Sequence, residues 1–290
     1  MIYKHRTIAF IPNSSIQLAF AGICTIDLYK IKGVEIPLFY YLLIFTATLS
    51  LYNFHRLVKL YSGQYRSVPD FENQIRNNRL FHLLLLLAGG LTSLFLFSRL
   101  TVTLLFLLIV PAIVAGLYSV KLIPGKNGKY ALREIPRFKG IAVAATWTFL
   151  TSVVPQFIYQ TIPTGFSLSI LFLWISQLIT FYVITGISDI RDFGIDPPNL
   201  KTLVQRFGVM RTIKLFQLLL SFAIVLAFLA CYYRQISLNQ FAAMTGGNGV
   251  LIFLAHQCKN RQPGWFYTLV VDGILLFQWS LFFFLDHLNF

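Results

Sequence analysis

Charged residues are scarce in this sequence of 290 residues: they make up 12% of it, and only 10 residues are acidic. A soluble globular domain carries about 25% charged residues. Apolar residues make up 57% of the sequence, and its mean hydropathy is +0.69. The shortage of charge excludes a soluble domain and predicts an integral membrane protein.

Cysteine is scarce as well. The three cysteines, Cys24, Cys231 and Cys258, lie far apart and form no CxxC pair. This spacing excludes a disulfide framework and a cysteine-based zinc site. The first apolar run, residues 16–26, lacks a clear small-residue cleavage pattern and is followed by Asp27. We therefore expect no cleavable signal peptide there.

The apolar runs are continuous and do not alternate with polar residues, which favours membrane-spanning helices over a β-barrel. We predict an all-α, multi-pass transmembrane bundle that forms a single domain over residues 1–290. Nine spans fit the runs, near residues 12–29, 37–58, 80–98, 100–120, 140–160, 166–188, 212–233, 239–257 and 265–286.

The basic residues test this arrangement independently, because cytoplasmic loops of membrane proteins collect Lys and Arg. With the N-terminus in the cytoplasm, the 24 Lys and Arg residues fall on the cytoplasmic side with the exception of Lys30, Lys32, Arg99 and Arg234. The same bias, with attraction to anionic lipid headgroups, accounts for the net charge of +14. Since no nucleic-acid motif is present, we expect membrane lipid and not nucleic acid as a partner.

Three of the ten acidic residues lie close together at the cytoplasmic end of the sixth predicted span: Asp189, Asp192 and Asp196. On a helix these three positions lie within about 60° of one another. Carboxylates so close repel unless a cation lies among them, and Mg²⁺ that bridges to phosphate oxygens is the usual cation for an oxygen-only cluster. The spacing predicts a metal-dependent site for a phosphorylated lipid.

An alternative is a solvated helix end, in which the first two carboxylates pair with Arg191 or with a lysine of a loop. Pro197 and Pro198 disfavour helix at Asp196 and beyond. We therefore expect the last carboxylate at the helix end, where it can swing toward a cation held by the other two.

The residues around this cluster read Asp189-Ile190-Arg191-Asp192-Phe193-Gly194-Ile195-Asp196, then Lys201-Thr202-Leu203 and Phe207-Gly208. They resemble the second aspartate-rich motif of the UbiA superfamily of intramembrane prenyltransferases, roughly D-x-x-D-x-x-G-D followed by K-T-L and a glycine. The motif glycine is displaced to Gly194 here, and the Lys-Thr pair comes one residue early. The segments Leu117-Tyr118-Ser119-Val120-Lys121 and Arg137-Phe138-Lys139-Gly140 are similar to the family's turn before its fifth helix.

This sequence differs from the family in the first aspartate-rich motif. The family has N-D-x-x-D-x-x-x-D at the end of its second helix, where this chain has Asn53-Phe54-His55-Arg56-Leu57-Val58-Lys59-Leu60-Tyr61. The asparagine matches, but Phe54, Leu57 and Tyr61 replace the aspartates. Because basic side chains can neutralise phosphate directly, the site is expected either to hold one metal with Arg56 in place of the other, or to have lost diphosphate ionisation.

The resemblance implies nine helices and transfer of an isoprenyl group from a prenyl diphosphate to an unidentified acceptor with Mg²⁺ assistance, or cyclisation of the same substrate. It implies that Asp189, Asp192 and Asp196 are catalytic and hold Mg²⁺. It also implies diphosphate-binding roles for Asn53, Arg56, Lys121, Arg137 and Lys201. The alternative function is that of a non-catalytic lipid-binding or membrane-assembly protein with this fold. The expected location is the cell (inner) membrane.

Overall fold

The structure, a computed structural model, describes residues 15–62, 69–125, 128–158, 168–194, 196, 200–260 and 262–288. The predictions for Pro197, Pro198 and the start of the first span, residues 12–14, fall outside these described residues.

The described chain is predominantly α-helical, as the sequence predicts. The helices are α1 (Ile16–Leu28), α2 (Leu38–Tyr61), α3 (Pro69–Asn77), α4 (Arg79–Phe97), α5 (Val102–Ser119), α6 (Phe138–Thr148), α7 (Leu168–Arg191), α8 (Leu203–Phe207), α9 (Val209–Tyr232), α10 (Leu238–Gln257) and α11 (Ile274–His287). A π-helical turn, Phe149–Val153, and a 3-10 turn, Val154–Phe157, extend α6, and a second π-helical turn, Phe266–Val271, comes before α11. Each of the nine predicted spans contains helix.

Five helical stretches within the described residues are long and apolar enough to cross a membrane: Arg79–Phe97, Phe138–Phe157, Leu168–Arg191, Val209–Tyr232 and Phe266–His287. Two further apolar helices, Ile16–Leu28 and Val102–Tyr118, are shorter. These helices support an integral membrane protein. The count of nine crossings and the cytoplasmic N-terminus stay predictions.

A small β-hairpin was not expected from the sequence. Strands β1 (Ile123–Gly125) and β2 (Gly128–Tyr130) pair antiparallel, with Ile123 opposite Tyr130. The hairpin lies in the polar connection that joins the fourth and fifth predicted spans. Three residues per strand are too few to show a period in the sequence.

The chain divides into two compact units. Unit 1 consists of Met1–Ile23 and Pro37–Arg133, and unit 2 consists of Cys24–Ile36 and Glu134–Phe290. The prediction of a single domain over the whole chain is untested by this division, and the two units are described separately below.

In unit 1, α2 and α4 approach closely because small residues lie at their contact. A Cβ added at Gly89 would lie 2.7 Å from the carbonyl oxygen of Thr46 and 3.1 Å from the backbone nitrogen of Ser50. The hydroxyl of Ser50 donates to the Leu86 carbonyl at 3.0 Å, and that of Ser93 donates to the Thr46 hydroxyl at 2.9 Å. Small residues and interhelical hydrogen bonds of this kind are the usual means of packing helices in lipid.

In unit 2, α7 packs against α6 and α9. A Cβ added at Gly186 of α7 would lie 2.3 Å from Cζ of Phe216, a fully buried ring of α9. The hydroxyl of Ser176 donates to the Ala223 carbonyl at 2.8 Å, which joins the same two helices further along. The polar end of α7, which carries the acidic cluster, is therefore fixed to a tightly packed helix.

A buried polar layer connects α7 with α10 and α11. Asn248 accepts hydrogen bonds on Oδ1 from the Thr180 hydroxyl at 3.2 Å and from Gln278 Nε2 at 3.3 Å. All three side chains are fully buried. Gly247 makes this approach feasible, because a Cβ there would lie 2.0 Å from Cγ of Gln278. The glycine-rich segment in the eighth predicted span is thus a helix-packing surface.

Candidate functional site

The three carboxylates of the acidic cluster surround one ammonium group. Lys139 Nζ lies 2.9 Å from Asp189 Oδ1, 2.8 Å from Asp196 Oδ2 and 3.9 Å from Asp192 Oδ2. The four side chains are partly buried, with exposed fractions between 13% for Asp189 and 24% for Asp192. The three carboxylates were expected to surround a cation, and that cation is the ammonium group of Lys139.

Lys139 reaches the cluster from the first turn of α6. The helix begins at Phe138, directly after Arg137, whose backbone has a left-handed conformation with φ of 67°. Gly140 faces α7 closely: a Cβ there would lie 3.4 Å from Thr185 Oγ1 and from Tyr182 Cε2. The short glycine lets α6 lie against α7, so that the lysine one residue earlier can span to Asp189.

The carboxylates come from a helix end and the turn that follows it. α7 ends at Arg191, although the N–H of Asp192 still donates to the Ser188 carbonyl at 3.1 Å. Gly194 has φ of +90°, a left-handed conformation that glycine adopts without strain, and the N–H of Asp196 donates to the Asp192 carbonyl at 3.0 Å. The chain therefore turns back at Gly194 and directs the last carboxylate toward Lys139.

The Lys201-Thr202-Leu203 segment supports Asp196 from the other side. The Thr202 hydroxyl caps α8 by accepting from the Gln205 N–H at 3.4 Å, and Gln205 Oε1 accepts from the Thr202 N–H at 3.2 Å. Gln205 Nε2 also donates to the backbone carbonyl of Asp196 at 3.2 Å. Through this capping box, Thr202 holds Gln205, whose side chain in turn bonds the backbone of Asp196.

A second cation belongs to the cluster. The guanidinium of Arg191 forms a bidentate pair with Asp192, with Nε at 2.7 Å from Oδ1 and Nη2 at 3.1 Å from Oδ2. Its carbon Cζ lies 5.9 Å from the ring centroid of Tyr267. The carboxylates thus pair with Arg191 and with Lys139, which lies in the first turn of α6 and not in a loop.

Two exposed basic residues lie beside the cluster. The Arg137 N–H donates to the carbonyl of Leu200, the residue before Lys201, at 2.9 Å. Lys201, like Arg137, has a left-handed backbone, with φ of 50°. Both side chains are exposed. Non-glycine residues rarely adopt this conformation, and such strain concentrates at functional sites. The hydrogen bond from Arg137 to Leu200 brings Arg137 close to Lys201, the other predicted diphosphate contact of unit 2.

The predicted contacts of unit 1 differ from one another in exposure. Asn53 is fully buried in α2: its Nδ2 donates to the Leu49 carbonyl at 2.7 Å, and its Oδ1 accepts from His82 Nδ1 of α4 at 2.7 Å. Arg56, one turn later, is half-buried and interacts electrostatically with His82. Lys121 is exposed just after α5.

The residues that replace the aspartates of the first motif offer no carboxylate ligand for a metal: they are Phe54, Leu57 and Tyr61. Leu57 is buried, whereas Tyr61 is exposed. The neighbouring His55 packs its ring 5.6 Å from that of Tyr118 and donates from Nε2 to the Ala115 carbonyl at 3.2 Å. The end of α2 is thus fixed to α5 through the tyrosine that the sequence analysis noted.

The arrangement of the acidic cluster does not fit a metal ion. Its carboxylate oxygens suit a hard cation such as Mg²⁺, but the point where they converge is taken by the ammonium of Lys139. Across the described ranges of the chain, no group of three or more His, Cys, Asp or Glu side chains is arranged to hold a metal.

Lys139 is the central residue that the sequence analysis did not assign to the site. Two signals for it were present. It belongs to the Arg137-Phe138-Lys139-Gly140 segment, which is similar to the turn before the fifth helix of the UbiA family, and three close carboxylates require a cation.

Solved structures with the same fold include a UbiA homolog from Archaeoglobus fulgidus bound to GPP and Mg²⁺. It is 11% identical to this chain with a TM-score of 0.63, over 94% of this chain and 98% of the homolog. A structure of a UbiA homolog from the same organism bound to Cd²⁺ is 12% identical with a TM-score of 0.56, over 93% and 99% of the two chains.

A structure described for digeranylgeranylglyceryl phosphate synthase is also similar, at 11% identity and a TM-score of 0.56 over 92% of each chain. No protein-family model matches the sequence, and no curated protein matches it. At these identities the likeness concerns the fold, and the resemblance noted in the sequence is confirmed at that level: the chain has the fold of the UbiA homologs.

Proposed function

We propose that this chain is a UbiA-like intramembrane prenyltransferase, which transfers an isoprenyl group from a prenyl diphosphate to an acceptor. The observation that carries the proposal is the convergence of Asp189, Asp192 and Asp196 on one cation at the end of α7. The convergence occurs at the second-motif segment, in a fold that is shared with a homolog bound to GPP and Mg²⁺.

The diphosphate would be bound by cationic side chains. Arg137 and Lys201 are exposed, lie beside the cluster and are joined through the backbone of Leu200. An arginine can bind phosphate oxygens with two parallel N–H groups, and a lysine binds them as a point charge. The carboxylates would orient Lys139 and Arg191 at the edge of this basic surface, and would not themselves contact the anion.

The roles of the unit 1 residues rest on the sequence resemblance. Arg56 and Lys121 are proposed as phosphate contacts. Asn53 is proposed to act indirectly, because its amide is buried and bonded to Leu49 and His82. It would hold the helix segment that presents Arg56.

In the reaction, the bond between C1 of the isoprenyl chain and the diphosphate oxygen breaks, and its electron pair leaves with the diphosphate. A nucleophilic acceptor forms the new bond to the allylic carbon and then loses a proton. Preorganised cations that face the departing diphosphate stabilise the charge that develops on it. In a cyclase, a double bond of the same chain would serve as the nucleophile.

The site is proposed to face the cytoplasm, with nine helices crossing the cell membrane and the N-terminus inside. This orientation places the acidic cluster, Arg137 and Lys201 on the side where Lys and Arg residues collect.

A second candidate function is that of a non-catalytic lipid-binding or membrane-assembly protein. Two observations favour it: the first-motif positions carry no carboxylates, and Lys139 occupies the centre of the second-motif cluster. Such a protein would bind a prenyl diphosphate, or another anionic lipid, without breaking the C–O bond.

The deciding experiment is incubation of the purified protein with prenyl diphosphates of several chain lengths, with and without Mg²⁺, scored for binding and for diphosphate release. Binding with release above the uncatalysed rate supports the transferase or cyclase. Binding without release from any substrate, in the presence of membrane extracts that contain acceptors, supports the lipid-binding protein. Absence of binding contradicts both.

A further inference from the structure

We propose that Lys139 is the resident cation of the acidic cluster and replaces a metal ion there, so that this chain binds diphosphate without Mg²⁺. The part of this inference that concerns diphosphate depends on the proposed function. The part that concerns metal binding does not, and the experiments below test the two parts separately.

The first step is geometric. The ammonium lies at hydrogen-bonding distance from one oxygen of Asp189 and one oxygen of Asp196, and within ion-pair distance of Asp192. A divalent ion bound by all three carboxylates would have to occupy the same position. Since α6 holds Lys139 against α7 through Gly140, expelling the ammonium would require its side chain to give up three partners at once.

The second step is a balance of charge. A cluster of three carboxylates that lacked Lys139 and Arg191 would strongly attract a divalent ion, because like charges at such distances repel. With both cations present, three negative charges face two positive charges. The electrostatic gain from an added Mg²⁺ is thereby reduced. The first-motif segment, where Phe54, Leu57 and Tyr61 stand, supplies no further carboxylate.

The third step concerns the phosphate. An ammonium has three N–H donors, and Asp189 and Asp196 account for two of them at short distance. The third N–H has only Asp192 nearby, whose oxygen lies 3.9 Å from Nζ, beyond hydrogen-bonding distance. A phosphate oxygen would accept a hydrogen bond from this third N–H. A tethered ammonium is always in place and always charged at neutral pH, so a site built around it needs no dissociable cofactor.

The first test uses the wild-type protein with Mn²⁺ as a paramagnetic probe for a Mg²⁺ site. We expect electron paramagnetic resonance to show only free Mn²⁺ at micromolar protein and metal concentrations. Bound Mn²⁺ that is released by the double variant Asp189→Asn and Asp192→Asn would show that the cluster holds a metal, and would overturn the inference. This measurement requires no substrate.

The second test removes the ammonium. Lys139→Met keeps the length of the side chain and leaves the three carboxylates without their central cation. We expect this variant to melt at a lower temperature than the wild type in EDTA, and to recover several degrees when Mg²⁺ is added. The matched control is Lys214→Met, which removes an exposed lysine of α9. The melting temperatures of the wild type and of this control should not respond to Mg²⁺.

If Mg²⁺ does not change the melting temperature of Lys139→Met, the inference is overturned. The inference requires the three carboxylates to bind a metal ion once the ammonium of Lys139 has been removed. Should Lys139→Met fail to fold, Lys139→Arg keeps a positive charge at the same position. That variant should fold and should stay indifferent to Mn²⁺ and Mg²⁺. Uptake of Mn²⁺ by Lys139→Arg would contradict the inference.

The third test uses geranyl diphosphate and isothermal titration. We expect wild-type affinity to be equal in Mg²⁺ and in EDTA, whereas Mg²⁺ should raise the affinity of Lys139→Met by about tenfold or more, which corresponds to about 1.4 kcal/mol. Wild-type binding that occurs only with Mg²⁺ would overturn the inference and leave the proposed function standing. Absence of binding under every condition would instead contradict the proposed function, while the Mn²⁺ and melting experiments would still decide the role of Lys139.

Discussion

Lys139 and Asp196 lie 57 residues apart in the sequence, and their charged groups meet at 2.8 Å. The lysine comes from the first turn of α6, and the aspartate comes from the turn after α7. The contact therefore fixes the loop after α7 to a neighbouring helix. Removal of one member of a buried ion pair costs about 3–5 kcal/mol. Because these side chains are about one-fifth exposed, we expect the lower end of that range for the loss of Lys139.

The packing of α7 against α9 gives the most direct prediction about stability. In Gly186→Ala the new methyl group would lie 2.3 Å from Cζ of the buried Phe216 ring. The ring is fully buried, so we expect a loss of about 1–3 kcal/mol from overpacking. Thermal unfolding in detergent measures it.

Gly249→Ala in α10 is the matched control, because a Cβ there meets no atom within 4 Å. Alanine is a better helix former than glycine by about 1 kcal/mol, so this variant should be as stable as the wild type or slightly more so. Equal stability of the two variants would contradict the close α7–α9 contact.

The sequence predicted most of the helices, because long apolar runs leave the backbone no other way to satisfy its hydrogen bonds in lipid. It also predicted the carboxylate cluster, because its members lie within eight residues of one another. It placed Asp196 at the helix end, whereas α7 ends at Arg191 and Asp196 lies beyond the turn at Gly194.

The contacts that span different helices could not be read in this way. Lys139 reaches Asp189 only because Gly140 lets α6 lie against α7. Asn53 resembled a phosphate ligand, but His82, which is 29 residues away, takes its side-chain oxygen. Both contacts depend on how the helices pack against one another. A single sequence does not show which lysine or histidine of one helix will contact a given residue of another helix.

The capping box of α8 predicts a measurable effect on the loop that holds Asp196. In Thr202→Ala the N–H of Gln205 loses its side-chain acceptor, and loss of such a cap costs about 1 kcal/mol. We expect faster hydrogen exchange at the Gln205 amide and in the rest of α8. Thr202→Ser retains the hydroxyl and should exchange like the wild type. Equal exchange in both variants would show that the cap does not stabilise this loop.

The predicted orientation can be tested by cysteine labelling with a membrane-impermeant maleimide. Lys129→Cys, in the exposed hairpin strand β2, should react only from the cytoplasmic side. Leu238→Cys, at the exposed start of α10, should react only from outside. Among the native thiols, burial raises the pKa of Cys258 to about 11, so this residue should react slowly at neutral pH. Cys24 and Cys231 are replaced by serine in the background.

If Lys129→Cys and Leu238→Cys react from the same side, the nine-span arrangement is wrong. If each reacts from the side opposite to the prediction, the arrangement is retained but the N-terminus lies outside. The reversed pattern would place the acidic cluster on the side opposite to the cytoplasm, where water-soluble prenyl diphosphates would not have access to it.

Arg137 combines a left-handed backbone at the start of α6 with a side chain that is proposed to bind diphosphate. Substitutions at this position can separate these two roles. A non-glycine residue in this conformation costs about 1–2 kcal/mol, a cost that glycine avoids. Arg137→Gly should therefore melt at a higher temperature than Arg137→Ala, which loses the same guanidinium but keeps the strain. If the side chain binds diphosphate, both variants should lose affinity for geranyl diphosphate by about tenfold, or about 1.4 kcal/mol.

The combination of results distinguishes three situations. Lower affinity in both variants, with higher stability in Arg137→Gly alone, means that the protein tolerates strain in order to present a phosphate ligand beside the cluster. Unchanged affinity in both variants would remove Arg137 from the binding surface. Equal melting temperatures of the two variants would show that no strain is released. The left-handed turn would then serve only to begin α6, where it directs Lys139 toward the carboxylates of α7.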